Sequence, residues 1–236
     1  LQQINVVVVA AAGNSTGHAV GVPANCPGVV GVAGLRHAGS KVGFSDLGPQ
    51  ITISAPGGNC INIDSGTPCL YPILSATNSG TRSPLAGGYT WTTSFRPSVG
   101  TSFSAPLVAG TIALMLSARP ELSNDQVIAL LRRSARPFPT TGADNGSDPT
   151  PVAACHAPNG LDQLQCYCST ALCGAGMLDA RAAVQATLDP AAPIEVARQL
   201  LDFGEANFPQ FFPDRLPTQT VGIWAFRYYP STGAFL

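Results

Sequence analysis

Three short runs of β-branched and small apolar residues constrain this chain most: residues 4–10 (INVVVVA), 29–33 (VVGVA) and 51–55 (ITISA). None alternates with polar residues. A strand with one wet face alternates, whereas a strand covered on both faces does not. The runs therefore predict buried strands of a parallel sheet, with helices on both faces. Gly- and Pro-rich segments separate them.

The helices expected around that sheet are also legible. Residues 102–118 are apolar nearly all round, with small residues Ala105, Ala109, Gly110 and Ala113 interleaved. This predicts a central, buried helix, with Pro106 tolerated in its first turn. Ser123, followed three residues later by Gln126, reads as a capping box opening a second helix that runs to about Arg133. Asp179 opens a third (DARAAVQATL), ended by Pro190, and a fourth is expected over 194–203. Residues 56–100 show no periodicity and read as long loops with one hairpin around Tyr89 to Phe95.

The last fifty residues change character. After the joint DPAAP they hold more than half of the chain's aromatic residues, among them Phe211, Phe212, Trp224, Tyr228 and Tyr229. A domain boundary is expected at 188/189, with 1–188 as one domain and 189–236 as an aromatic-rich tail module. Similar short modules end many secreted bacterial proteins. A binding, anchoring or packing role fits such a tail.

Composition narrows the class. The chain has 236 residues, 45% hydrophobic and 11% charged, so it can bury a large core. Its formal net charge of −1 gives no sign of a nucleic-acid or anionic-membrane partner. No apolar run approaches the roughly 18 residues of a membrane span. The chain opens inside an element (LQQIN running into VVVVA), so further N-terminal sequence of the same domain is expected upstream, any targeting segment included.

Seven cysteines point to an oxidising compartment. Cys155, Cys166, Cys168 and Cys173 crowd together. Their spacing fits paired zinc ligands poorly, because those are usually separated by two to four residues. Disulfides suit them better, most simply Cys155 with Cys166 and Cys168 with Cys173. Cys60 and Cys69 can close a small loop, leaving Cys26. Cys26 with Cys60 is an alternative, and the sequence leaves both open.

The chemistry concentrates in GTSFSAPLVAG, 100–110. Gly100 permits a tight turn, and Ser102 stands at the mouth of the apolar helix. Backbone N–H groups in a first helical turn have no partner within the helix. The helix dipole adds positive potential there. The position suits a nucleophile in acyl transfer. The plainer reading is that Ser102 is only an N-cap. Other schemes fail on residues. An α/β-hydrolase elbow needs Gly where Ser104 stands, and a Ser-x-x-Lys dyad is ruled out because Lys41 is the only lysine and residue 38 is Ala. No HExxH occurs.

A second element is VVVVAAAGNSTG, 6–17. A buried strand ends in small residues and presents Asn14, whose amide can donate to an oxyanion. Taken alone, Gly-Asn is usually a turn.

Together, VVVVAAAGN and GTSFSAPLVAG resemble the subtilisin family of serine proteases. VGVPANCPGVVGVAG, VGFSDLGPQITISAPGG and CGAGMLDARAAV agree in order, over roughly residues 1–188. The resemblance implies an α/β subtilisin-like fold, with Ser102 as nucleophile and Asn14 in the oxyanion hole beside the Ser102 N–H. It implies that Thr101 assists them. Ala11, Ala12 and Gly13 would wall the primary specificity pocket, with Gly21 at its base. Leu107 stands where many relatives have a non-catalytic His. The family's His-Gly-Thr and Asp-Ser/Thr-Gly motifs precede the oxyanion Asn, and neither is found there. Asp64-Ser65-Gly66 falls between Asn14 and Ser102 and reads as a loop turn. His18, His37 and His156 match no family position and read as surface residues.

The expected function is endoproteolysis of extracellular protein, with His and Asp supplied from upstream, so that this portion alone is inactive. The substrate is protein or peptide, and the location is secreted, periplasmic or cell-surface, in a bacterium. No cofactor is needed for the chemistry, no metal site is read, and structural calcium is left open. The rival is a catalytically silent subtilase used as a binding or surface module.

Overall fold

The computed structural model describes residues 6–60, 69, 71–93, 98–143 and 151–188, with the backbone of 228–229 and 234–235. The three apolar runs form a parallel sheet of β1 (Val8–Ala11), β2 (Val29–Leu35) and β3 (Ile51–Pro56), in the order β1-β2-β3. Val8 pairs with Val29 and Ala11 with Val32, while a register shift interrupts β2–β3 pairing between Gly31 and Val32. The fold is α/β. The two faces of the sheet part as strand geometry demands. Val30 and Val32 join one core while Ala33 faces another.

The hairpin expected around Tyr89 to Phe95 begins upstream of that stretch. β4 (Ala76–Asn78) pairs antiparallel with β5 (Tyr89–Trp91), so Tyr89 to Trp91 is its second strand rather than its first. The connection carries Asn78, whose Oδ1 accepts from the N–H groups of Gly80 and Leu85. An asparagine that satisfies its own loop's donors closes a turn too irregular for periodicity to reveal.

Helix α1 (Thr101–Ala118) starts one residue earlier than expected, with Gly100 as its N-cap. Pro106 is therefore its sixth residue and lies beyond the first turn. Having no N–H, it leaves the Ser102 carbonyl without the usual i→i−4 donor. Thr101, Ser104, Val108, Thr111, Ile112 and Met115 form the buried stripe, at helical spacing. Ser102 and Leu107 are exposed. At 18 residues and mean hydropathy 1.5, α1 does reach the length and composition of a membrane span. In this fold its apolar stripe packs on the sheet, in one core with Val30, Val32, Ile53 and Ala55.

Helix α2 (Asn124–Arg133) has the expected box. Ser123 Oγ accepts from the Gln126 N–H, and Gln126 Oε1 accepts from the Ser123 N–H at 2.9 Å. Helix α3 (Ala180–Thr187) is capped by Asp179, which accepts from the Ala182 N–H at 2.8 Å. Val127 and Leu131 of α2 and Ala183 and Val184 of α3 complete that core. The opposite face of the sheet is covered by Val20 and Ala24 from the loop after β1.

Two further short strand pairs lie outside the main order. β6 (Ala153–Ala154) runs parallel to β7 (Cys166–Tyr167), and β8 (Tyr228–Tyr229) antiparallel to β9 (Ala234–Phe235). The expected fourth helix and the joint at 189 lie outside the described residues.

Three disulfides form: Cys60–Cys69, Cys155–Cys166 and Cys168–Cys173. Cys26 is free and exposed. The sulfurs of Cys155, Cys168 and Cys173 lie within 4.8 Å of one another, but all three are bonded and offer no thiolate to a metal.

Candidate active site

In a parallel sheet, the carboxyl ends of the strands all point to one edge, and ligands gather there. Asn14 stands three residues past the end of β1. The start of α1 reaches the same edge through a chain of backbone bonds. The Gly57 N–H donates to Leu35 O at the end of β2, and the Gly100 N–H donates to Gly57 O just past β3. So the residues on either side of Asn14 and of Ser102 are fixed to neighbouring strand ends, although 88 positions separate them in sequence.

The contact between the two segments is made by Thr101, which is fully buried. Its backbone N–H donates to Asn14 Oδ1 at 2.9 Å, and its Oγ1 lies 3.0 Å from the same oxygen. Oγ1 also lies 3.3 Å from both the N–H and the carbonyl of Gly13. An amide whose oxygen faces two donors has its orientation set, and its Nδ2 is turned away from them. That nitrogen lies 3.4 Å from the place a Gly100 Cβ would occupy, and the Ser102 backbone nitrogen lies 3.8 Å from the same place. Both nitrogens thus lie close to Gly100, with Asn14 Oδ1 also 3.8 Å from that place. Gly100 has φ 143°, ψ 158°, a conformation open to glycine. A side chain there would stand over the two donors.

Ser102 is the second residue of α1, so its N–H has no helical acceptor. The Phe103 N–H turns back to Gly100 O at 2.9 Å. Ser102 and Asn14 are both exposed. The arrangement is a side-chain amide, a backbone N–H without a helical acceptor and a hydroxyl at a helix N-terminus, where the dipole favours negative charge. Chemically, it can hold an oxyanion next to a serine oxygen.

The other residues anticipated here fall as follows. Ala11 ends β1, and Ala12 is buried, its N–H donating to Val32 O at 2.9 Å. Gly13 lies between Thr101 and Asp46. Gly21 is exposed, with no atom within 4 Å of where its Cβ would stand. The histidines are engaged elsewhere. His18 Nε2 lies 2.9 Å from Asp162 Oδ1, His37 stacks on Tyr71 with ring centroids 3.6 Å apart, and His156 Nδ1 meets Ala157 O at 2.9 Å. Asp64-Ser65-Gly66 lies outside the described residues.

Two residues that sequence reasoning passed over shape this site. Asp46, 3% exposed, accepts at Oδ1 from the N–H groups of Ser15 (3.0 Å) and His18 (3.1 Å), while its own N–H donates to Gly13 O at 3.0 Å. It thereby grips the segment on both sides of Asn14. Lys41 is fully buried. Its Nζ donates to the carbonyls of Val42 (3.1 Å), Gly43 (3.0 Å) and Ser45 (3.0 Å), which holds the turn leading into Asp46. Burial pushes the Lys41 ammonium down from its ordinary 10.5 to about 7, and the nearby Asp46 carboxylate opposes that shift. A lone lysine inside VGVAGLRHAGSKVGFSD carries no local sign of burial.

Comparison with known proteins follows the same residues. The model of the subtilase family matches residues 2–165. An extracellular protease of Xanthomonas campestris is 35% identical over 77% of this chain and 24% of its own length. A halolysin-like extracellular serine protease of Natrialba magadii is 36% identical over 51% of this chain and 18% of its own. The chain thus spans a quarter or less of these curated relatives. Among solved structures, a protease of Pseudoalteromonas arctica superposes with a TM-score of 0.58 and 33% identity, covering 79% of this chain and 44% of that one. A prenylagaramide maturation protease superposes with a TM-score of 0.52 and 26% identity, covering 80% and 53%.

Proposed function

Because the chain belongs to the subtilase family, we propose that it forms part of a serine endopeptidase in which Ser102 is the nucleophile and Asn14 a donor of the oxyanion hole. The observation that carries this reading is the convergence of Asn14 Nδ2 and the Ser102 N–H over Gly100.

The chemistry runs as acyl transfer. Ser102 Oγ attacks the scissile carbonyl carbon as a general base takes its proton. The carbonyl π pair moves onto oxygen, and the resulting oxyanion accepts from Asn14 Nδ2–H and the Ser102 N–H. The C–N bond then breaks, and the amine leaves with the proton from the base. Water hydrolyses the acyl-enzyme by the reverse sequence. His18, His37 and His156 each meet another partner, and the proposed base, with the acid that orients it, comes from sequence outside these 236 residues. Thr101 holds the Asn14 amide in place. Ala11, Ala12 and Gly13 wall the first specificity pocket, and the open space at Gly21 leaves room at its base.

The proposed substrate is extracellular protein. Three disulfides support an oxidising location, and the similar proteases of Xanthomonas and Natrialba are named extracellular.

The test uses the full-length protein and a fluorophosphonate probe, which phosphonylates activated serines. Labelling at Ser102, lost together with peptide hydrolysis in Ser102→Ala, is the expected result. Hydrolysis that survives Ser102→Ala would end the reading. A folded full-length protein that neither labels nor hydrolyses peptides would favour a silent binding module.

A further inference from the structure

Gln163 is a buried side chain, 7% exposed, carried on the loop closed by the Cys155–Cys166 disulfide. It uses both ends of its amide. Oε1 accepts from the His156 N–H at 3.1 Å, while Nε2 donates to His156 O (3.0 Å) and to Gly17 O (3.1 Å). Its backbone N–H donates to Thr16 O at 2.9 Å. One residue therefore holds two consecutive carbonyls that lie 146 and 147 positions away in sequence.

Those carbonyls belong to a turn that needs holding. Thr16 has φ 61° and Gly17 has φ 85°. A β-branched residue in the left-handed region is uncommon and persists only where its surroundings impose it. A Cβ on Gly17 would collide with the Gln163 side chain, so the approach is as close as glycine allows. The turn begins two residues after Asn14. Thr101 and Asp46 grip the same segment by Asn14 Oδ1 and by the N–H groups of Ser15 and His18. The Thr16 N–H donates to Phe44 O at 2.9 Å, and Gln163 supplies the anchors on the Thr16 and Gly17 carbonyls. The loop that carries it is tied in turn to the turn leading into Asp46, because the Lys41 N–H donates to Cys166 O at 2.9 Å.

We propose that Gln163 is a positioning residue for the oxyanion hole: by fixing the Thr16–Gly17 turn, it sets where the Asn14 amide stands, and so governs turnover rather than substrate affinity. This rests on the assignment of Asn14 made above. The amide donates to an oxygen that is charged only in the transition state, so a small displacement weakens transition-state binding and leaves ground-state binding alone. A carboxylate at position 163 would face the carbonyls of Gly17 and His156, acceptor against acceptor.

The experiment is a double-mutant cycle in the full-length protein, reading kcat and KM on a peptide substrate together with thermal unfolding. It compares Gln163→Glu, Gln163→Met, Asn14→Leu and the two double variants. Each Gln163 variant is expected to lower kcat roughly tenfold with KM unchanged. In the Asn14→Leu background the same changes should have almost no further effect, since no amide is left to position. Should Gln163→Glu fail to fold, Gln163→Met, which keeps the volume without burying a charge, carries the test. Full kcat in a folded Gln163 variant overturns the proposal. An equal loss of kcat with and without Asn14 also overturns it, and leaves the assignment of Asn14 standing. If Asn14→Leu alone keeps full kcat, that assignment fails and the proposal falls with it.

Discussion

Asn14 Oδ1 faces both donors of Thr101, the backbone N–H at 2.9 Å and the hydroxyl at 3.0 Å. Thr101 precedes Ser102, so the residue that opens the helix also orients the amide beside the serine. An asparagine side chain can flip its oxygen and nitrogen at little steric cost. Here the flip would set Nδ2–H against the Thr101 N–H, donor against donor. The orientation that the proposed oxyanion role requires is therefore built into the fold before any substrate arrives.

Replacing that amide tests the oxyanion role directly. Asn14→Leu in the full-length protein should lower kcat by roughly 10²–10³ with KM little changed. That magnitude is the one known for subtilisin, the family's namesake. Steady-state kinetics on a chromogenic peptide decide it, and an unchanged kcat would remove Asn14 from the mechanism.

Thr101→Val probes the orientation alone. Valine keeps the shape and the backbone N–H but removes the hydroxyl from Asn14 and from the Gly13 N–H. A lost buried hydrogen bond is worth about 0.5–1.5 kcal/mol, so kcat should fall roughly 2- to 10-fold. The loss should be smaller than that of Asn14→Leu, because the 2.9 Å backbone bond survives. A loss as large as that of Asn14→Leu would mean that the backbone bond alone does not hold the amide.

The buried lysine predicts a pH dependence of stability. In the folded chain Lys41 releases its proton near pH 7, whereas unfolded it keeps it to about 10.5. Between those values the unfolded state binds more protons, so raising the pH favours the folded state. Measured in a Ser102→Ala background to prevent self-digestion, the stability of the Lys41 protein relative to Lys41→Met should rise from pH 7 to pH 9, by roughly 2 kcal/mol. Urea unfolding at the two pH values reads it. A difference that does not change with pH would show that the three carbonyls keep the ammonium charged.

The cysteines predict a covalent map. Non-reducing peptide mapping should return Cys60–Cys69, Cys155–Cys166 and Cys168–Cys173, with Cys26 as the thiol that alkylates without reduction. Stoichiometric zinc in elemental analysis would contradict three bonded pairs.

Much of the frame was legible because it depends on near neighbours. Strands β1 to β3 follow from unbroken β-branched runs, α2 from Ser123 and Gln126, and α3 from Asp179. Each needs only a period or a cap, and both are local. That the segments of Asn14 and of Ser102 meet, through the Thr101 bond to Asn14, was legible too, through the resemblance of two motifs. The start of α1 differs from the expected one by one residue, because whether a helix starts at Thr101 or Ser102 is set by Gly100 and by the Asn14 bond to the Thr101 N–H. The hairpin partner at 76–78 had no period to announce it.

By itself, the sequence determined the sheet, the helices α1 to α3 and the two segments proposed to carry the chemistry. The tertiary structure alone decided how Asn14 is held. Asp46 grips its segment from 31 and 28 positions away, Thr101 from 87, and the side chain of Gln163 from 146. Such bonds leave no periodic trace, because a polar side chain is drawn inside by whichever backbone donors and acceptors the packed strands leave unpaired there. Which those are is known only once β1, β3 and the first turn of α1 have come to the same edge.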